Sequence, residues 1–193
     1  MAKVTRAVPH MTRDLEKPFA RSYWVVPNKF LAGYYPGSKH AEEASQRHQG
    51  LLNCGIRYVV NLMEEHETDH SGNGFVPYEN TLREIADGMA VDVYFIRHPI
   101  RDNGVPSTEQ MVTILDTIDH AISSELPVYV HCWGGVGRTG TVVGCYLARH
   151  GIATGQECLV KIRELRRIDP TADRSSPETI KQADMVLGWK TGK

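Results

Sequence analysis

The chain has 193 residues, 41% hydrophobic and 23% charged, which is room for one domain with a sizeable core and too little for two. A formal net charge of −1 supplies no field that would hold it on nucleic acid or an anionic membrane. No apolar run approaches the roughly 20 residues of a membrane span, and the start has no signal-peptide apolar stretch, so a cytoplasmic protein is expected.

Residues 1–20 are polar and without period, carry Pro9 and Pro18, and read as a loose arm before a domain over 21–190. Val25-Val26 and Phe30–Tyr35 predict a hairpin closed near Pro27-Asn28. A polar, helix-favouring stretch from His40 to Leu52 stops at Gly55, and the β-branched run Ile56–Leu62 is a buried strand. Glu64–Asn80 is loop-like; Leu82, Ile85 and Met89 then share a helical face, and Val91–Ile96 is a further strand ended by Pro99. Ser107 with Gln110 forms a capping box ahead of Met111, Ile114, Leu115, Ile118 and Ile122, which line one face of the clearest helix. Pro127–Val130 is a short apolar strand, followed by a helix from about Arg138 to His150 that stops at Gly151. Thr154 with Glu157 predicts a second capping box, and Ser176-Pro177-Glu178 the start of the last helix. This order predicts a single α/β domain: a mostly parallel central sheet with helices on both faces.

The four cysteines, Cys54, Cys132, Cys145 and Cys158, are too scattered for a disulfide scaffold, and none forms a C-x-x-C pair suited to structural zinc. Three read as core thiols. Cys132 does not: five residues, three of them glycines, separate it from Arg138, between a strand and a helix. Such a loop turns backbone N–H groups inward as an anion nest, and the helix dipole adds to its field. Trp133, Gly134, Gly135, Val136 and Gly137 would cradle a phosphate, and Arg138 would grip two of its oxygens in a bidentate way. The same field favours the thiolate of Cys132, the nucleophilic form, and Thr139 can donate its hydroxyl to that sulfur. Trp133 either walls the pocket or packs beneath it, and His131 orders the loop by hydrogen bonds.

His131-Cys132-x5-Arg138-Thr139 resembles the signature loop of the protein tyrosine phosphatase superfamily, and its aromatic-Gly-Gly form is similar to that of kinase-associated phosphatases. Pro99–Ser107 resembles the general-acid loop of the dual-specificity branch, which makes Asp102 the acid; Pro177–Gln182 resembles the segment whose glutamine, here Gln182, positions the hydrolytic water. Two departures are Glu178, where classical tyrosine phosphatases have a first glutamine, and Arg101 directly before the acid. The resemblance implies a monomeric, metal-free and cofactor-free phosphatase that acts on a phosphorylated protein or small phosphomonoester through a phosphocysteine.

Rival motifs carry less. Gly135-Val-Gly137-Arg-Thr-Gly140 matches a dinucleotide fingerprint, but that fold needs another strand after the helix, and a second helix follows here. His66-Glu-Thr-Asp-His70 matches a zinc-protease motif but has no apolar helical face, so it reads as a solvated acidic loop. Arg163, Arg166 and Arg167 read as a solvated helix face or a guide for anionic substrates. Two functional alternatives stay open: an inositol-phosphate or phosphoinositide phosphatase, disfavoured by a loop without lysine, and a non-catalytic phospho-binding module.

Overall fold

The computed structural model describes residues 16–193. Most of the expected arm lies outside the described residues, but residues 16–20 are packed: Trp24 Nε1 donates to the Glu16 carbonyl at 3.1 Å, and Phe19 meets Tyr34 edge-on at 5.6 Å.

Strands β1 (Ser22–Val26) and β2 (Phe30–Tyr34) form the expected hairpin, with Asn28 at φ +57° in its turn, where asparagine is tolerated. After α1 (Ala41–Asn53), Gly55 at φ +84° reverses the chain into β3 (Tyr58–Asn61). Then come α2 (Glu79–Gly88), β4 (Tyr94–Arg97), α3 (Thr108–Ser123), β5 (Val128–Cys132), α4 (Gly137–Arg149), α5 (Gln156–Leu165) and α6 (Ile180–Gly188). The sheet order is β1-β2-β5-β3-β4, parallel except for β1 against β2, so β5 is central and delivers Cys132 to the middle of the sheet's edge.

Period-two alternation gives the strands two buried faces. From β5, Tyr129 and His131 point one way, and His131 meets Tyr78 at the start of α2. Cys132 points the other way, toward Thr139 on α4. Every residue of α4 from Gly137 to Ala148 is buried, because α3, α5 and α6 surround it. Fully buried Leu31, Ile114, Leu115 and Ile118 each contribute ~1.5–3 kcal/mol. No strand follows α4 among the described residues, as the argument against a dinucleotide fold required.

Three helix starts differ from expectation. Ser107 accepts from the Gln110 N–H, but the Gln110 side chain donates to the Pro99 carbonyl at 2.6 Å instead of closing the box. Thr154 uses its carbonyl, not its hydroxyl, to meet the Glu157 N–H, and Gly155 caps α5. The last helix begins at Ile180 rather than near Pro177. The Ser176 hydroxyl is diverted to the Val136 carbonyl at 2.7 Å, and Thr179 with Gln182 forms the capping box.

Candidate active site

The chain from Cys132 to Arg138 leaves β5 and enters α4 as a loop whose carbonyls are tied down from outside. Those of Cys132, Trp133, Gly134 and Val136 accept from His131 Nδ1 (3.2 Å), the Tyr35 N–H (3.1 Å), Arg21 Nη2 (2.7 Å) and Ser176 Oγ (2.7 Å). In a trans peptide the next residue's N–H points opposite to the carbonyl, so these four anchors turn N–H groups toward the hollow of the loop. Gly135 sits at φ +69°, and a Cβ there would lie 2.6 Å from the Gly33 carbonyl carbon, so only glycine fits between this loop and β2.

Cys132 is 2% exposed at the floor of a cleft of about 210 Å³, also lined by Arg21, His70, Asp102, Trp133, Arg138 and Gln182. Thr139 Oγ1 donates to its sulfur at 3.1 Å. His131, with Nδ1–H spent on the Cys132 carbonyl, accepts from the Tyr78 hydroxyl at 2.6 Å through Nε2. Burial, with the Arg97 and Arg138 charges in the same sense, holds its pKa down to about 3, so the imidazole is neutral and serves as a strut. Trp133 is a wall of the cleft, with His70 against its ring at 4.4 Å and Phe75 at 5.5 Å.

The guanidinium of Arg138 is 2% exposed and fixed from behind. Glu67 takes it in a fork, Nη1 to Oε2 at 2.6 Å and Nη2 to Oε1 at 2.7 Å, while Nη1 also donates to the Ile100 carbonyl at 3.1 Å. Burial works against the charge, but the Glu67 carboxylate, the Cys132 sulfur and Asp102 more than offset it and raise the arginine above its ordinary range. The His66–His70 segment is therefore not simply a solvated loop: the Glu67 side chain is 7% exposed and the second histidine packs on Trp133. No group of three or more His, Cys, Asp or Glu side chains converges as a metal site among the described residues. Replacing Glu67 by glutamine keeps the shape and one acceptor but frees the fork. We expect kcat/KM for an aryl phosphate to fall about tenfold from lost orientation. Glu67→Ala should in addition cost about 3–5 kcal/mol in thermal unfolding, as for any broken buried pair.

Asp102 enters from the β4–α3 connection, in a tight turn closed by the Gly104 N–H on the Arg101 carbonyl at 2.9 Å, with Asn103 at φ +58°. Its Oδ1 lies 2.9 Å from Arg138 Nη2, and its side chain is 41% exposed. Gln182 is fully buried against the same turn, its Nε2 donating to the Gly104 carbonyl at 2.9 Å. At the mouth, Glu178 pairs with Arg174. Arg166 corrects the expected solvated face: it is 2% exposed and donates to the Thr171 and Arg174 carbonyls at 2.9 and 3.1 Å, shaping the loop that carries Arg174 and Ser176. All four cysteines are free thiols, and burial raises the pKa of Cys145 and Cys158.

Comparisons with known proteins bear on the family and the fold. A protein-family model described as "Polymorphic toxin system, DSP-PTPase phosphatase" matches residues 35–152. The chain belongs to this family, within the dual-specificity branch of the protein tyrosine phosphatase superfamily. It is 29% identical over 146 residues to protein tyrosine phosphatase domain-containing protein 1 of Mus musculus, covering 75% of this chain and 19% of that protein. It is 27% identical over 145 residues to dual specificity protein phosphatase CDC14C of Homo sapiens, covering 74% and 29%. The chain thus spans less than a third of the length of either relative. Among solved structures, the active form of Tk-PTP superposes with a TM-score of 0.61 at 23% identity, over 86% of this chain and 93% of that one. Kinase-associated phosphatase superposes at 0.63 and 18%, over 89% and 93%. PTPMT1 in complex with PI(5)P superposes at 0.63 and 18%, over 86% and 92%. These likenesses establish the fold.

Proposed function

We propose that the chain hydrolyses phosphotyrosine in proteins, with phosphoserine and phosphothreonine as further substrates, through a phosphocysteine. What supports this reading is one cleft holding Cys132 with Thr139 on its sulfur, Arg138 locked by Glu67, and Asp102 2.9 Å from Arg138. The Cys132 thiolate attacks phosphorus, forming the S–P bond as the P–O bond to the leaving group breaks, and the Asp102 carboxyl gives its proton to the departing oxygen. Water then attacks phosphorus and the S–P bond breaks. Asp102 takes the water's proton, and the Thr139 hydroxyl donates to the leaving sulfur. Inorganic phosphate and the starting enzyme result. The inward N–H groups and Arg138 stabilise charge on the three equatorial oxygens throughout.

The test is hydrolysis of p-nitrophenyl phosphate, followed by a panel of phosphotyrosine, phosphoserine and phosphothreonine peptides against inositol phosphates. The expected order of kcat/KM puts phosphotyrosine peptides first. Preferred turnover of an inositol polyphosphate would move the assignment to that class, and peptide binding without phosphate release would make the chain a binding module.

A further inference from the structure

The side chain of Gln182 is fully committed on its acceptor side. Its Oε1 receives both the Glu178 and the Thr179 N–H, each at 3.1 Å, and its Nε2 donates to the Gly104 carbonyl at 2.9 Å. The reverse amide orientation would set an NH2 against two N–H donors and an oxygen against a carbonyl, so the network fixes the assignment. Orienting a hydrolytic water as acceptor would require Oε1 to abandon the cap of α6. Gly104 closes the same turn that presents Asp102, two residues earlier. The carboxamide also lies against Gly137, where a Cβ would come within 3.0 Å of Oε1. Gln182 therefore touches three things at once: the cap of α6, the end of the phosphate loop and the acid turn.

We infer that Gln182 is a positioning residue for the general acid: a clasp from α6 to the Gly104 carbonyl that sets the Asp102 turn over the phosphate loop, rather than the residue that orients water. The inference rests on the proposed role of Asp102. Its effect belongs to the first step and to substrates whose leaving oxygen needs a proton.

Gln182→Glu separates the two roles, because a carboxylate still accepts from Glu178 and Thr179 N–H but cannot donate to Gly104. Gln182→Met, of similar length, is read in parallel, with melting temperatures for both. The expected result is a loss in kcat of about 10–100-fold with a phosphotyrosine peptide, the scale of a displaced catalytic group, and of less than about threefold with an aryl phosphate whose leaving group is a stable anion, while repulsion between the new carboxylate and the bound phosphate enters KM for both substrates. No burst of phenol release should appear, since the second step is intact. In an Asp102→Asn background, Gln182→Glu should add no further loss with phosphotyrosine. Equal losses on both substrates, a burst with trapped phosphocysteine, or a multiplicative loss in the Asp102→Asn background would each overturn the clasp. If Asp102→Asn alone shows the leaving-group dependence while Gln182→Glu does not, the clasp fails and the acid stands. If neither shows it, the acid assignment is lost and the clasp with it.

Discussion

Cys132→Ser is expected to lower hydrolysis of p-nitrophenyl phosphate by about four orders of magnitude or more, the scale seen when an enzyme loses its nucleophile. A serine hydroxyl at this position has Thr139 Oγ1 beside it and no general base: His131 is neutral, but both its nitrogens are taken, by the Cys132 carbonyl and Tyr78. Binding should survive, because the cradle does not depend on the sulfur. The outward carbonyls are held by Arg21, Tyr35 and Ser176, and Arg138 is held by Glu67. Phosphotyrosine peptide should therefore bind the variant within about threefold of its affinity for the parent, since the loop nest and arginine supply most of the anion's stabilisation. Calorimetry with the peptide and a stopped assay with p-nitrophenyl phosphate measure the two halves. A variant that keeps a tenth of the parent rate would mean that the nucleophile is another residue.

What could be read in the sequence is what is contiguous in it. The strand, the glycines and Arg138 after Cys132 are fixed by covalent spacing, so the course of the loop and the expectation that it binds an anion are both readable from residue order alone. The capping residue Ser107 and the apolar face of α3 are likewise local signals. The supports of the loop are not local. Glu67 reaches Arg138 across 71 residues, Arg21 reaches Gly134 across 113, and Ser176 reaches Val136 across 40. A buried arginine demands a carboxylate, but with 23 acidic residues in the chain nothing in the sequence says which one. His66-Glu67-x-x-His70 matches a metal motif in sequence and reads as a solvated loop, whereas in the fold Glu67 holds Arg138 and His70 packs on Trp133. Arg166 departs from its expected exposure for a related reason. Helical spacing puts it among exposed arginines, yet the loop after α5 folds back over it and takes its donors. Gln182 was legible as a functional residue only through resemblance, and the contacts of its carboxamide show what periodicity cannot: a capping side chain also serving as a link between elements.

Asp102→Asn should slow hydrolysis of a phosphotyrosine peptide by roughly 10²–10⁴-fold, the usual contribution of a general acid when the leaving group needs a proton. The loss should shrink to a few-fold with an aryl phosphate whose oxide is already a stable anion, such as a polyfluorinated phenol. Asparagine keeps the size and still fits the turn closed by Gly104 on Arg101, so the geometry of the loop is preserved while the proton is removed. One opposing effect can be assigned in advance. Asp102 lies 2.9 Å from Arg138, and an anion that binds to the arginine competes with that carboxylate. Removing the carboxylate's charge leaves Arg138 paired with Glu67 and more open to phosphate, so KM should fall or hold steady while kcat drops. Equal losses for good and poor leaving groups would remove Asp102 as the donor. Among nearby acids, Glu178 would then be the group to test, since it lines the same cleft and its partner Arg174 lies at the solvent-facing mouth.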